Sequence, residues 1–200
     1  MTKQEQGDFT VNEVSGKLIK RWEIKNQEKK PILLWMGGFQ GAGKTSVIEN
    51  LKNKINFIII SPDEIRHELF ERKIKFGEEF VKMVDDIRNE LIESGLKTNN
   101  HIIVDQRTTE ERVDLAKILI KNSNYILKTV YLEAPFGILK ERVSRRSQIK
   151  GLYKGTVEEL ETLWKIDGNK NIDFHDLIID TNKNSIEEVA NQIKIKIFDN

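Results

Sequence analysis

The sequence has no cysteine and only three histidines and three prolines in 200 residues. Without cysteine the chain can form no disulfide, no thiolate nucleophile and no cysteine-based zinc site. The histidines, His67, His101 and His175, have neither the mutual spacing of a metal site nor a nucleophile beside them. We therefore interpret them as ordinary helix and strand-end residues.

The sequence also lacks an excess of either charge, and it lacks long apolar runs. Its 33 basic and 32 acidic residues leave a net charge of +1, which gives no general electrostatic reason to bind nucleic acid or membrane. No apolar run approaches the ~18 residues of a membrane span, and the first residues lack the apolar core of a secretory signal. We expect a soluble cytoplasmic protein with one compact core, in which any anion site is local.

The most informative stretch is ILLWMGGFQGAGKTS, residues 32–46. Strand-forming residues lead into a glycine-rich turn whose residues fill the spacing G-x-x-x-x-G-K-[ST], so that successive backbone N–H groups can converge on phosphate oxygens. We predict that Lys44 reaches the β- and γ-phosphates of a nucleotide and that the Thr45 hydroxyl binds Mg²⁺. The alternative, a purely structural glycine turn, fits the strand-turn-helix context less well. The predicted nucleotide-binding residues of the loop are Gly38, Gly41, Ala42, Gly43, Lys44, Thr45 and Ser46.

A carboxylate follows the second predicted strand. The apolar run NFIII is followed by SPDEIR, in which Ser61 and the proline after it open a helix. Asp63 then lies in the first helical turn and Arg66 one turn later, at the sheet edge where the first strand delivers the phosphates. The alternative for Asp63 is stabilisation of the helix dipole, and spacing alone favours neither interpretation.

The third predicted strand repeats this arrangement. The sequence IIVDQR places Asp105 at the strand end, where it can hold a water molecule bound to Mg²⁺. We favour this over an ordinary turn aspartate. Arg107 is a candidate contact for an anionic substrate. Thr108 with Glu111 has the spacing of a capping box and predicts the start of the next helix.

Basic residues are concentrated after the fourth predicted strand. Five of them lie within residues 142–154, and Arg142 and Arg146 are four residues apart, on one helical face. A solvated basic face is the ordinary interpretation. Beside a nucleotide site, however, arginines can neutralise charge that develops on a phosphoryl group in transfer.

Capping patterns indicate further helices toward both ends of the chain. Thr10 with Glu13, Thr156 with Glu159, and Ser185 with Glu188 each have the spacing of a capping box. The first pair predicts a helix before the phosphate loop, with one apolar stripe that packs on the core domain. The last pair follows a fifth strand, which ends near Asp180.

Five short strands that alternate with helices predict an α/β fold with a parallel sheet. At this point the chain resembles the P-loop kinases of small substrates, most closely the AAA-type kinases related to polynucleotide kinase and to the zeta-toxin sugar-nucleotide kinases. The resemblance covers residues 31–200 and rests on four stretches of the sequence, namely GGFQGAGKTS, SPDEIR, IIVDQR and ERVSRR.

The resemblance implies a P-loop NTPase fold of three α/β/α layers, with strand order 2-3-1-4-5 and an arginine-bearing lid at about residues 141–155. Asp63 looks like the general base, Arg66 like a clamp on substrate or γ-phosphate, and Arg142 and Arg146 like the lid arginines. An adenine pocket is implied between the lid and the loop that follows Asp180. Residues 1–30 form an N-terminal helical extension and linker that the minimal kinase lacks.

These observations predict an ATP- and Mg²⁺-dependent phosphotransferase. Its γ-phosphoryl acceptor would be a hydroxyl of a small molecule, a sugar nucleotide or a polynucleotide end. A nucleotide-binding and hydrolysing switch is the alternative, although the guanine-binding and switch motifs of GTPases are absent. A nucleic-acid-binding module rests only on the basic cluster at residues 142–154 and lacks aromatic residues for stacking. Neither the acceptor nor the oligomeric state is indicated.

Overall fold

The computed structural model describes residues 3–24, 28–145, 155–168, 170 and 172–199. The strands of this part of the chain are β1 (Ile32–Gly37), β2 (Phe57–Ile60), β3 (His101–Asp105), β4 (Ile126–Glu133) and β5 (Leu177–Asp180). The α-helices are α1 (Lys3–Ile19), α2 (Lys44–Lys52), α3 (Pro62–Glu71), α4 (Glu78–Leu96), α5 (Glu110–Ile120), α6 (Phe136–Ser144), α7 (Val157–Asp167) and α8 (Ile186–Ile193). A π-helical turn, Lys194–Phe198, follows α8.

The five strands form one parallel sheet in the order β2-β3-β1-β4-β5, which confirms the predicted order. The central strand β1 lies between β3 and β4, and Met36 is in register with Asp105 of β3. All carboxyl ends of a parallel sheet lie at the same edge. The tips of β1, β2 and β3 therefore deliver the phosphate loop, the start of α3 and the β3–α5 loop to one side of the molecule.

Two apolar clusters pack on the two faces of the sheet. Leu34 and Met36 of β1 face α2, α6 and α8, whereas Leu33 and Trp35 face α1, α3, α4 and α5. The alternation follows from the period of two along a strand, and both faces are apolar because both are covered by helices. The predicted three-layer α/β/α fold is confirmed.

The N-terminal helix is part of this core. Val14 and Leu18 of α1 are buried in the cluster that contains α3 and α4. The helix begins at Lys3, so the prediction that Thr10 caps its N-terminus is wrong. Thr10 is instead a buried residue inside the helix, whose first residues, 3–6, are good helix formers.

The other predicted helix starts were mostly correct. Thr156 with Glu159 and Ser185 with Glu188 both form complete capping boxes. The predicted start of α5 was displaced by one residue, because Thr109 and not Thr108 accepts the capping hydrogen bond, from the Arg112 N–H. The Thr108 side chain is buried instead.

No helix in the described part of the chain has both the length and the apolar character that crossing a membrane requires.

Candidate active site

The phosphate loop has the backbone geometry that its glycines permit. Gly38, Gly41 and Gly43 have φ values of 133°, 87° and 92°, which residues with a Cβ rarely adopt. A Cβ on Gly38 would also lie 2.5 Å from the carbonyl oxygen of Leu132. Helix α2 begins directly after the loop at Lys44, so its first backbone N–H groups, which have no partner within the helix, point toward the loop.

The polar side chains of the loop lie at its surface. Lys44 Nζ donates to the carbonyl oxygen of Gly38 at 3.0 Å and to that of Phe39 at 3.4 Å, so it folds back over the loop. Thr45 and Ser46 are exposed in the first turn of α2, and Ala42 is buried. The loop therefore presents an ammonium group, two hydroxyl groups and backbone donors at one place.

Asp63 and Arg66 form an ion pair at the start of α3. Arg66 Nη1 lies 2.5 Å from Asp63 Oδ1, and the two side chains are 59% and 30% exposed for Asp63 and Arg66, respectively. This pair stands at the tip of β2, with β3 between it and the phosphate-loop strand. Two strand spacings correspond to about 10 Å, enough to seat a substrate group between carboxylate and phosphate.

Asp105 and Arg107 belong to the strand between these two sites. Asp105 is the last residue of β3, partly exposed and level with Met36 immediately before the phosphate loop. The Arg107 guanidinium pairs with Asp167 at the end of α7, and Lys170 Nζ lies 2.7 Å from the same carboxyl group. Burial raises the pKa of Asp167, but hydrogen bonds and charges from Lys170 and Arg107 outweigh it and hold this pKa below its ordinary value.

A cavity of about 390 Å³ lies beside Arg107. Its walls include Phe39 of the phosphate loop, Tyr131 of β4 and Phe174 before β5. Thr108 also lines it, and this buried Oγ1 has no hydrogen-bond partner among the described residues. Burial is the main cause that raises the pKa of Tyr131 to about 12, so its hydroxyl stays protonated as a donor.

Arg142 connects the phosphate loop with the loop after β5. Its Nη1 donates to Gly41 O at 3.3 Å and to Thr181 Oγ1 at 2.9 Å, and its Nη2 donates to Thr181 O at 2.9 Å. Arg146, the other predicted lid arginine, lies outside the described residues, as does most of the predicted lid. The part of the lid prediction that can be located is thus Arg142 on α6.

Asp180 organises the loop that Arg142 contacts. Its Oδ1 accepts from the backbone N–H of Asn182 at 2.8 Å, and its carbonyl oxygen accepts from Asn184 Nδ2 at 2.8 Å. The hydrogen bond from the Asn182 backbone is the main cause that lowers the pKa of Asp180. Sequence reasoning named Asp180 but missed Thr181, whose contact with Arg142 depends on residues far apart in the chain.

Two further arginines of the site were missed. Arg88 is only 2% exposed, and its Nη1 binds Asp85 Oδ1 at 2.5 Å and Gln106 Oε1 at 3.0 Å. Arg112 Nη1 donates to the carbonyl oxygen of Arg107 at 2.8 Å. The sequence contains a weak signal for Arg112. A cation in the first turn of a helix interacts unfavourably with the helix dipole, so its presence there indicates a role other than helix stabilisation.

The matches to known proteins agree with this geometry. Residues 33–162 match the protein family described as AAA domain. The chain belongs to this family of P-loop kinase domains. The matched AAA domain extends from β1 into α7 and includes the phosphate loop, both strand-tip aspartates and Arg142.

Named relatives of this AAA-domain chain are kinases and a toxin. It is 25% identical over 168 residues to an adenylyl-sulfate kinase of Shewanella halifaxensis, covering 79% of this chain and 77% of the relative. It is 26% identical over 213 residues to the toxin PezT of Streptococcus pneumoniae, covering 96% and 79%. A solved sugar kinase from Janibacter superposes with a TM-score of 0.60 at 13% identity, over 84% and 94% of the two chains, and supports the fold alone.

Proposed function

We propose that this chain is an ATP-dependent phosphotransferase that moves the γ-phosphoryl group to a hydroxyl of a small-molecule, sugar-nucleotide or polynucleotide acceptor. One observation carries the proposal beyond nucleotide binding. The Asp63–Arg66 pair stands at a strand tip on the same edge as the phosphate loop, with both side chains accessible. A carboxylate there is not needed to bind the nucleotide phosphates, whereas an attacking hydroxyl needs a group that takes its proton.

The nucleotide phosphates would lie in the phosphate loop. Backbone N–H groups of residues 38–46 and the ammonium group of Lys44 would bind phosphate oxygens, as the glycine and lysine spacing of the loop predicts. Arg142, held between Gly41 and Thr181, would border the adenine and ribose side of the nucleotide. Loop residues 180–184, organised by Asp180, would complete that side.

The residues at the loop fit Mg²⁺. Thr45 offers an exposed hydroxyl, and Asp105 offers a carboxylate at the adjacent strand tip, both of them the hard oxygen ligands that Mg²⁺ prefers. Thr45 would hold the ion directly, and Asp105 would hold it through a water molecule. The ion supplies charge neutralisation on the β- and γ-phosphates.

The chemical step needs positioning and one proton transfer. The acceptor oxygen forms a bond to the γ-phosphorus while the bond from that phosphorus to the bridging oxygen breaks, which releases ADP. The hydroxyl proton passes to the Asp63 carboxylate, which Arg66 holds in a fixed direction. Lys44 would stabilise the charge on the transferring group.

The Asp63→Asn variant tests this proposal. It retains the size of the side chain but removes the base, so Mg-ATP should bind about as well as to the original chain while transfer slows roughly a hundredfold. Calorimetric ATP affinity and acceptor-dependent ADP release are the two measurements. Equal transfer rates in both proteins would mean that Asp63 only stabilises the helix dipole at the start of α3.

A panel of acceptors addresses the alternative, a nucleotide-hydrolysing switch. ATP consumption is measured with nucleosides, sugar nucleotides, antibiotics and oligonucleotides bearing a 5′-hydroxyl. A phosphotransferase releases ADP faster with at least one of them and yields a phosphorylated product. ATP hydrolysis that no acceptor stimulates would favour the switch.

A further inference from the structure

Four arginines from α3, α4, the β3–α5 loop and α5 lie close enough to act electrostatically on one another. Arg66 comes from α3 and Arg88 from α4, whereas Arg107 lies in the loop itself and Arg112 in the first turn of α5. Hydrogen bonds connect two of them to the loop, because Arg88 donates to Gln106 and Arg112 donates to the carbonyl oxygen of Arg107. The β3–α5 loop follows β3, the strand that lies between β2 and the phosphate-loop strand β1.

Three of the four arginines have a carboxylate of their own. Arg66 pairs with Asp63, Arg88 with Asp85, and Arg107 with Asp167. Arg112 differs, since no carboxylate among the described residues lies within ion-pair distance of its guanidinium group. Its one side-chain hydrogen bond within this part of the chain goes to the neutral carbonyl group of Arg107. Arg112 is therefore the one arginine of this cluster that has no carboxylate at ion-pair distance among the described residues, and the charge of Asp85 acts on it from farther away.

This charge is held in an unfavourable place. Arg112 is only partly exposed, and a buried cation without a counterion loses hydration that it does not regain from the protein. Burial is the main cause that lowers the pKa of Arg112, and the like charges of Arg88, Arg107 and Arg66 lower it further, while Asp85 acts in the opposite direction. A bound anion would supply the missing counter-charge.

The surroundings have space and polar groups for a ligand. Arg107 and Thr108 line the cavity of about 390 Å³, and the buried Thr108 Oγ1 has no partner among the described residues. Arg112 is joined to this wall through the carbonyl oxygen of Arg107. A polar molecule in this cavity would contact Arg107 and the Thr108 hydroxyl, next to the segment that Arg112 holds.

We infer that the phosphoryl acceptor carries an anionic group, a phosphate, sulfate or carboxylate, in addition to its reacting hydroxyl, and that Arg112 binds this group. The charges of Arg66 and Arg107 strengthen the attraction. The inference rests on the proposed function for the identity of the ligand as an acceptor. The anion site itself rests on Arg112 and its neighbours and can be measured separately.

Inorganic phosphate serves as the probe for the anion site. The phosphate loop is first filled with Mg²⁺ and a non-hydrolysable ATP analogue, and the thermal unfolding temperature is then followed as phosphate is added. Phosphate should raise this temperature for the original chain. Arg112→Gln should need about tenfold more phosphate for the same rise, because one charge-assisted contact is lost.

Two variants control this measurement. Arg72→Gln removes an arginine that pairs with Glu13 at the far end of α3 and should leave phosphate binding unchanged. Arg112→Lys retains the charge without the forked donor and should give an intermediate effect, which also provides a reading if Arg112→Gln folds poorly. Equal phosphate dependence in the original chain, Arg112→Gln and Arg112→Lys would overturn the inference.

Matched acceptors then separate a substrate group from a free anion. Pairs that differ only in an anionic group, such as ribose and ribose 5-phosphate or a nucleoside and its monophosphate, are compared in ADP release. The anionic member should have the higher kcat/KM, and Arg112→Gln should remove that preference. A neutral acceptor used as well as its anionic partner would overturn the inference while leaving the phosphotransferase intact. Arg112-dependent phosphate binding without transfer to any alcohol would instead count against the proposed function.

Discussion

Two cations contact the backbone of the phosphate loop from different parts of the chain. Lys44 donates to the carbonyl oxygen of Gly38 and Arg142 to that of Gly41. Neutral carbonyl groups are weaker acceptors than phosphate oxygens, so a nucleotide can replace them as partner of Lys44. Arg142 has two further bonds, to the hydroxyl and carbonyl oxygens of Thr181, which fix its position. Removal of Lys44 and removal of Arg142 should therefore affect phosphoryl transfer and nucleotide binding differently.

Lys44→Ala should abolish phosphoryl transfer while the fold survives. The variant loses the charge-assisted contact to the β- and γ-phosphates, and Lys44 lies at the loop surface, outside the apolar core. ATP turnover and the thermal unfolding temperature are the measurements. Lys52→Ala, which removes an exposed lysine paired with Glu49 at the other end of α2, is the control and should behave like the original chain. Turnover near the original rate in Lys44→Ala would contradict the phosphate-loop assignment.

Arg142→Ala should weaken nucleotide binding more than it slows the chemical step. The sequence alone predicted a transition-state role, whereas the contacts with Gly41 and Thr181 favour a role at the nucleotide border. We expect KM for ATP to rise about tenfold, as for one lost charge-assisted interaction, with a smaller change in kcat. Thr181→Val, which removes the hydroxyl partner of Arg142, should also raise KM for ATP. A large loss of kcat at unchanged KM would instead indicate that Arg142 acts on the transition state, as the sequence predicts.

Residue-level prediction succeeded where the chemistry is local in sequence. The spacing of Gly38, Gly43 and Lys44 predicts the loop because its backbone donors come from consecutive residues. Thr181 could not be found in this way, because only the folded sheet brings Arg142 beside it. Arg112 gives only a weak signal in the sequence, and its hydrogen bond to the carbonyl oxygen of Arg107 depends on the conformation of the loop between them.

At the level of elements, two ion pairs join α1 and the residues just after it to α3, between a buried carboxylate and two half-exposed cations. Glu68 of α3 is only 3% exposed, and its two carboxylate oxygens lie 2.6 Å from Lys17 Nζ and Arg21 Nη2. Burial raises the pKa of Glu68, but the hydrogen bonds and charges of Lys17 and Arg21 outweigh it and hold this pKa below its ordinary value. The same helix carries Asp63 and Arg66 in its first half, so we expect the ion pairs of Glu68 to help hold the candidate catalytic pair in position.

Glu68→Gln should destabilise the fold in a way that depends on pH. The pKa of Glu68 is lowered on folding, so its contribution to the free energy of unfolding is present above the unfolded pKa and is lost as pH falls through the lower folded value. At neutral pH the loss should be on the order of 2 kcal/mol, as for hydrogen bonds to a charged group. Urea unfolding of both proteins between pH 7 and pH 3 checks this. A difference that stays constant over that range would mean that charge is not the cause.

Helix starts show how far sequence predicts elements. The capping boxes at Thr156 and Ser185 were predicted correctly because their hydrogen bonds lie within four residues. At the start of α5, Thr108 and Thr109 compete for the same role. Thr109 caps the helix because the Thr108 side chain is buried against the sheet. A Cβ on Gly37 would lie only 2.2 Å from Thr108 Oγ1. Tertiary packing thus overrides a local pattern.

At the scale of the whole molecule, the residues before the phosphate loop are part of the core. The resemblance to the minimal kinase covers residues 31–200, and the sequence predicts that residues 1–30 add a helix that packs on this domain, followed by a linker. Val14 and Leu18 pack with Leu33 and Trp35 of the central strand in one apolar cluster. We therefore expect α1 to be needed for the stability of the domain and for the orientation of α3.

Leu18→Ala tests this expectation without removing any chain. Leu18 is 5% exposed, and truncation of such a side chain costs about 2–5 kcal/mol through lost burial and the cavity left behind. Ile24→Ala is the matched control, because Ile24 is 53% exposed just beyond the same helix and should change stability by less than about 0.5 kcal/mol. The free energy of unfolding of both variants is measured by urea titration.

If α1 contacted the domain only loosely, both variants would lose less than about 0.5 kcal/mol of stability. If it belongs to the core, Leu18→Ala alone should lower the midpoint, and a chain that begins at residue 28 should be less stable still, since it lacks Val14, Leu18 and both cations that bind Glu68.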